Sequence, residues 1–230
     1  DRGCGCCGPR VGHQSCPTLQ WRADSVVRPI EMAARAQGAP LRKRRIAVLG
    51  HPAVGKSSLI DVYSEKPFSD NYNTTIADVV VLEREIGTKA FELQLHDTMG
   101  VADLPSFDDD ICQMHGWILV FDVTSRDSFN AIETIYDKLK MDLGEAAITP
   151  LVVVANKCDL PEEGKKREVT KEEAAECAKK MSAFFCESSA KANKGVAELF
   201  EQVVREIETA RGEPLPKGRG GKKGGWCAQS

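Results

Sequence analysis

The run Gly50-His-Pro-Ala-Val-Gly-Lys-Ser57 stands between an apolar stretch, Ile46-Ala-Val-Leu49, and a helix-compatible one, Ser58-Leu-Ile-Asp-Val-Tyr63. A glycine, four residues and then Gly-Lys-Ser is the spacing with which a strand turns directly into a helix around a polyphosphate. Gly50 and Gly55 allow the tight wrap, so that the N–H groups of Ala53, Val54, Gly55, Lys56, Ser57 and Ser58 converge on the anion at the helix N-terminus. Lys56 adds a point charge against the terminal phosphates, and the Ser57 hydroxyl is placed to ligate Mg²⁺. The competing reading is a glycine-rich turn that merely matches the pattern, and the rest of the chain weighs against it.

Asn156-Lys-Cys-Asp159 follows Pro150-Leu-Val-Val-Val-Ala155, a continuous apolar run of the kind that makes a buried parallel strand. Its polar groups therefore fall at a strand's C-terminal end, where open α/β sheets bind ligands. A carboxylate at Asp159 can accept two hydrogen bonds from the N1–H and 2-amino group of guanine; adenine has no such paired donor edge. Glu187-Ser-Ser-Ala-Lys191, after the strand-like Ala183-Phe-Phe-Cys186, supplies a second wall with Ser189 and with the Ala190 N–H toward the guanine oxygen. Lys157 and Lys191 flank the base. Singly, each segment reads equally well as a turn or a helix cap. In order, after two strands and downstream of the phosphate loop, they predict a guanine-nucleotide site.

On these motifs, and on Leu93-Gln-Leu-His-Asp-Thr98, Gly116-Trp-Ile-Leu-Val120 and Val123-Thr-Ser125, the chain resembles the Ras superfamily of small GTPases over residues 42–210, nearest its Rheb branch. The resemblance implies a P-loop NTPase fold (a G domain): α/β, with a six-stranded, mostly parallel sheet, helices on both faces and one antiparallel strand. It also implies bound GTP or GDP with Mg²⁺. Phe68 would lie against the guanine and Tyr72 would cover the nucleotide. Thr75 and Ser57 would ligate Mg²⁺, with Asp97 holding it through water, and the Gly100 N–H would contact the γ-phosphate. Two loops that grip a phosphate removed by hydrolysis are ordered with GTP and released with GDP, which makes a switch. The implied partners are effectors engaging residues 68–80 and the second switch, an exchange factor, and a GTPase-activating protein, all acting on a monomer.

The departures from that pattern bear on catalysis. Where most family members read Asp-Thr-Ala-Gly-Gln, this chain reads Asp97-Thr-Met-Gly-Val101, and valine cannot hydrogen-bond an attacking water. No catalytic residue is secure; Lys56 and Gly100 remain as γ-phosphate contacts. Alternation along Phe91-Glu-Leu-Gln-Leu-His96 points His96 away from the side of Asp97, so it reads as a strand-end histidine. His51 has no assigned role. Pro52 removes a donor from the loop and sets a ring near the γ-phosphate. The expected activity is slow GTP hydrolysis; the alternative is a GTP-locked binding module with negligible hydrolysis. A phosphotransferase of the same fold is disfavoured by Asn156-Lys-Cys-Asp159.

With 230 residues, the chain divides into a core of about 165 residues, ample for one interior, and two tails. Periodicity predicts strands near 44–49, 79–86, 90–96, 116–122, 150–155 and 183–187, and helices near 55–64, 127–141, 171–181 and 196–210. Ile86-Gly-Thr-Lys89 is too short for a crossover and predicts an antiparallel hairpin. A net charge of −3 gives no case for nucleic acid, and Arg42-Lys-Arg-Arg45 reads as a solvated strand entry.

Residues 1–31 hold four of the nine cysteines, lack methionine and show no periodicity. They read as a leader ahead of Met32, with a zinc site on Cys4, Cys6 and Cys7 as the alternative. Residues 32–43 form an N-terminal extension and 44–210 the G domain. Residues 211–226 read as a flexible tether rich in Gly, Pro and Lys. Cys227-Ala-Gln-Ser230 is a Cys-a-a-X box whose terminal serine favours farnesyl, despite the polar Gln229. One lipid binds weakly, so Lys217, Arg219, Lys222 and Lys223 would add attraction to anionic lipid. A prenyltransferase is an expected partner, and the expected location is the cytoplasmic face of the plasma membrane or endomembranes, with a cytosolic pool.

Overall fold

Strand β1 (Arg42–Gly50) carries consecutive apolar residues because both faces of its sheet are covered: Ile46 and Val48 face one layer, Ala47 and Leu49 the other, and all four are fully buried. The computed structural model describes residues 41–68, 77–100, 113–161, 163–216 and 227–228. Helix α1 (Lys56–Tyr63) follows, then β2 (Ala77–Ile86), β3 (Lys89–Thr98), β4 (Gly116–Asp122), α2 (Arg126–Leu143), β5 (Leu151–Asn156), α3 (Lys171–Lys180), β6 (Phe184–Glu187) and α4 (Val196–Ala210). The sheet order is β2-β3-β1-β4-β5-β6, with β2 antiparallel to β3 and every other pair in that row parallel. Every predicted strand and helix is present. Ile86 pairs with Lys89 across the predicted two-residue turn.

The two-residue strand β7 (Cys227–Ala228) adds to the expected six, pairing antiparallel with β6 at Cys186 and Phe185. An edge strand with open main-chain groups is what such an addition requires.

Helices α1 and α4 cover the face formed by Ile46, Val48, Leu93, Leu95, Ile118 and Val154. Helices α2 and α3 cover Ala47, Leu49, Trp117, Leu119, Phe121 and Val153. Caps set the helix starts on that second layer. The Ser125 side chain accepts from Ser128 N at the head of α2, and the Thr170 side chain accepts from Glu173 N at the head of α3. Strands β4 and β5 are buried along their whole lengths, so their C-terminal ends are rigid platforms.

Two expectations need correction. The basic run Arg42–Arg45 is not a solvated entry, because Arg44 is only 8% exposed and lies against Glu208, a fully buried residue of α4. Arg42 and Lys89 reach the same carboxylate at 3.0 and 3.6 Å. The countercharge lies over 160 positions away, beyond the reach of local sequence patterning. Nor does a free tether begin at residue 211. Leu215 is buried with the α1/α4 layer, Glu213 pairs with Arg42 and with Lys89, and the Pro216 carbonyl accepts from Arg205 at 2.9 Å. Residues 211–216 are therefore part of the folded body, because a leucine and a carboxylate in an otherwise Gly- and Pro-rich run find partners on the β2–β3 hairpin and α4. Residues 1–31 and the basic positions 217–226 lie outside the described residues.

Candidate nucleotide site

The loop between β1 and α1 bends through two glycines that no other residue could replace. Gly55 has φ 95°, and a Cβ there would lie 2.6 Å from Asn156 Nδ2; a Cβ on Gly50 would lie 2.2 Å from the Val120 carbonyl oxygen. Gly55 is also the N-cap of α1 and brings no side-chain acceptor, so the cap itself does not compete for the helix's first N–H groups. Lys56 is buried beneath the loop, its ammonium donating to the carbonyls of Gly50 (3.2 Å) and His51 (3.1 Å). Burial lowers its pKa, and the charge of Asp97 works in the opposite direction. A loop that curls around its own lysine, at the head of an uncapped helix, is chemically a receptor for a polyanion.

Two adjacent residues at the end of β5 tie this loop to the next one. Asn156, 1% exposed, donates from Nδ2 to Val54 O at 2.8 Å, and Lys157 donates from Nζ to Ala53 O at 2.7 Å. Both Ala53 (φ 62°) and Lys157 (φ 61°) occupy the left-handed region, unusual for residues with a Cβ. Ser188 Oγ donates to Asn156 Oδ1 at 3.2 Å, Cys158 N to Ser188 O at 3.1 Å, and Ser188 N to Ala155 O at 2.8 Å. Asp159 accepts from Ser189 Oγ at 2.5 Å. The hydroxyl oxygen of Ser189 in turn accepts from Ala192 N at 3.0 Å. Asp159 is thus held as an acceptor at the strand ends, in the same cluster as Ser189 and the buried Ala190.

Lys191 is exposed and pairs with Glu163 at 2.8 Å, so the structure engages it at the rim of this cluster. Phe68 is 36% exposed at the end of the described segment after α1. Ser57 and Ser58 open α1, half-buried, while Asp97 is 4% exposed near the end of β3. Next to it, Thr98 Oγ1 donates to Val48 O at 2.8 Å, fixing the end of β3 to β1. His96 pairs in register with Ala47 and Asp97 with Val48, which puts the two side chains on opposite faces, as alternation requires. His51 Nδ1 lies 3.1 Å from the Pro52 carbonyl oxygen. Tyr72, Thr75 and Val101 lie outside the described residues, as does the side chain of Cys227.

A hydroxyl at Ser57, at the head of α1, and a carboxylate at Asp97, near the end of β3, are oxygen donors of the type a hard divalent cation takes. The influence of Asp97 on Lys56 puts that carboxylate in electrostatic range of the loop. These residues fit Mg²⁺.

Asp122 was not among the residues singled out from sequence. It ends β4 opposite Asn156, and its Oδ2 lies 2.8 Å from Lys157 Nζ. Ser188, equally missed, is fully buried behind Asn156. For Asp122 a signal existed: a carboxylate closing an apolar strand run sits at the same sheet end as Asn156.

A model of the Ras family matches residues 45–209. The chain is 35% identical over 179 residues to the GTP-binding protein Rheb homolog of Drosophila melanogaster, covering 77% of this chain and 96% of that protein. It is 36% identical over 183 residues to the GTP-binding protein rhb1 of Schizosaccharomyces pombe, covering 79% and 96%. With the GTP-binding protein Rheb of Homo sapiens the identity is 36% over 172 residues, covering 74% and 91%.

Proposed function

This chain belongs to the Ras family, in its Rheb/Ras branch, as a GTP-binding switch protein and GTP hydrolase, and we propose from that premise how its own residues bind, hydrolyse and signal. The observation that carries the reading is the double tie from Asn156 and Lys157 to Val54 and Ala53, which joins a polyanion loop to a loop presenting Asp159. A ligand satisfying both has phosphates at one end and a base with paired donors at the other.

In this reading the N–H groups of residues 53–58 and the Lys56 ammonium hold the phosphates. Asp159 accepts from guanine, with Ser189, Ala190, Lys157 and Lys191 around the base and Phe68 and Tyr72 covering the nucleotide. Ser57, Thr75 and Asp97 (through water) would hold Mg²⁺, which neutralises developing charge on the phosphates when bound. Gly100 donates its N–H to the γ-phosphate. Val101 supplies no water-orienting group, so intrinsic hydrolysis is slow and the GTP form long-lived. A second reading, a GTP-locked module, rests on that same valine. Effectors engage the two switch loops, an exchange factor and an activating protein regulate them, and prenylation of Cys227 with the basic residues 217–223 holds the protein on anionic membranes.

Competition against labelled GDP on the full chain tests the base assignment. GTP and GDP displace the label, ATP does not, and Asp159→Asn shifts preference toward xanthine nucleotides, because an amide presents a donor to the 2-oxo group. Wild-type binding of ATP comparable to GTP would overturn it. Ser57→Asn weakens GTP more than GDP, and Cys227→Ser moves the protein from membrane pellet to cytosol. Equal losses for both nucleotides, or a variant that stays in the pellet, would remove those two roles.

A further inference from the structure

We propose that Asp122 is a positioning residue for nucleotide retention: its carboxylate fixes the Lys157 ammonium, and through it the join between the phosphate loop and the loop bearing Asp159. The inference rests on the reading that this site holds a guanine nucleotide.

Lys157 has a long stem, and its ammonium is a strongly hydrated point charge, so ordering it over a single carbonyl would cost entropy and desolvation for one hydrogen bond. Here the ammonium has two fixed partners on different elements, the Ala53 carbonyl at 2.7 Å and Asp122 Oδ2 at 2.8 Å. Asp122 is itself immobilised. It is 8% exposed, its Oδ1 accepts from Thr124 N (2.8 Å) and Thr124 Oγ1 (2.7 Å), and its backbone N–H donates to Ser128 Oγ at 3.0 Å. The carboxylate therefore has one oxygen committed to the β4–α2 turn and the other to Lys157. A carboxylate held this way sets the lysine in place before ligand arrives, which is preorganisation at the cost of no new contact to the ligand.

What Lys157 bridges explains why its placement matters. Its own backbone and that of Ala53 are both in the left-handed region, so the two ends of the bridge are conformations that relax if released. Asn156, the preceding residue, makes the parallel tie to Val54 from the floor of the site. Loss of the outer tie leaves only the inner one, and the loop can swing away from the base-binding residues. Without Asp122 the ammonium would turn to solvent or to the phosphates, in either case leaving Ala53.

The test is release of a fluorescent GDP analogue from the full chain in Mg²⁺, chased with excess GDP, for wild type, Asp122→Asn, Lys157→Met and the double variant. Asparagine keeps an oxygen for the Thr124 turn and removes the negative charge that faces Lys157, so a role limited to capping the turn is preserved in it. The expected result is release at least tenfold faster in each single variant, with the double variant no faster than the faster single, and guanine-over-adenine preference intact because Asp159 is untouched. Asp122→Glu, which restores the charge one methylene further out, recovers part of the retention. Should Asp122→Asn not be obtained folded, Thr124→Val removes the hydroxyl that holds Asp122 and must speed release several-fold. Unchanged release in these variants beside tight wild-type retention, or fully additive effects in the double variant, overturns the role of Asp122. A wild-type chain that retains no guanine nucleotide instead removes the reading beneath it.

Discussion

The backbone of Gly100 and the ring of Pro52 approach so closely that a methyl group on the glycine would lie 2.3 Å from both Cγ and Cδ of the proline. The ring is rigid and belongs to the phosphate loop, so the collision cannot be relieved by a rotamer change. Gly100→Ala is therefore expected to push the start of the second switch off the loop. The ratio of GTP to GDP affinity, measured by competition, should fall about tenfold, the scale of one lost charge-assisted hydrogen bond. An unchanged ratio would dissociate Gly100 from the γ-phosphate.

Single-turnover hydrolysis addresses Val101. The wild-type rate is expected below the roughly 10⁻⁴ s⁻¹ of an ordinary Ras-type domain, since valine orients no water. Val101→Gln should raise it, and adding Pro52→Gly should raise it further by clearing the ring that faces Gly100. A wild-type rate at or above the ordinary value would mean that another residue positions the water.

Ser189 donates to Asp159 at 2.5 Å, a short contact to an ionised acceptor. Such a bond contributes about 1.5–3 kcal/mol. Ser189→Ala should weaken GDP binding about tenfold while leaving the preference for guanine, because the carboxylate remains but loses its orientation. Calorimetric titration with GDP reads this directly, and wild-type affinity in the variant would count against it.

Glu208 is fully buried among Arg42, Arg44 and Lys89, with Arg44 Nε at 2.7 Å. Removing one member of a buried pair leaves the other charge uncompensated, a loss of about 3–5 kcal/mol. Glu208→Ala should lower Tm by roughly 6–12 °C or more, with m-value unchanged. Arg44 also lies over the Phe91 ring, 5.9 Å to its centroid, and is only 8% exposed, so without Glu208 its guanidinium is left nearly buried with no carboxylate beside it. A Tm within 2 °C of wild type, on the order of 1 kcal/mol or less, would refute a structural role for the pair.

His115 accepts from Arg45 N through Nδ1 at 2.9 Å and is held below the ordinary histidine pKa by burial first, then by Arg44, Arg211 and Arg45. Above about pH 6.5 the ring is neutral whether the chain is folded or not, and contributes nothing to pH dependence. Below it, the unfolded chain takes up a proton that the folded one resists, so stability falls as pH drops. His115→Asn keeps an acceptor for Arg45 and removes the titration. Tm against pH from 7.5 to 5 should be flatter for the variant. Glu213 acts elsewhere: held down to about 2 by Arg42 and Lys89, it supports the fold above the ordinary glutamate range, and its support is lost only as pH falls toward 2. Parallel curves for wild type and His115→Asn would exclude His115 as the titrating group.

The first six strands, their one hairpin and the four α-helices were legible from local pattern, because β1, β4 and β5 are apolar without alternation and the helical segments carry periodic apolar positions. Asn156 and Asp159 were legible because a polar tetrapeptide closes an apolar strand. What escaped was pairing at long sequence separation. Nothing near Arg44 foretells Glu208, and nothing near Leu215 foretells a place beside α1. Asp122 escaped for a different reason. Its place closing an apolar strand run was legible, but nothing in the sequence pairs it with Lys157, which already had a role by motif.

The docked segment 211–216 determines where force enters the molecule. A pull on the chain beyond Pro216 does not unwind α4 from its last turn. It is met first by the Arg205 bond to the Pro216 carbonyl, by Pro216 lying over Gly87, and by Leu215 in the core. The Glu213 pairs with Arg42 and Lys89 come next, so that the load passes into β1 and β3. Segment 211–216 is fastened like a seam to the hairpin, to β1 and to α4, so tension reaches α4 through the side of Arg205 and not first through its last turn.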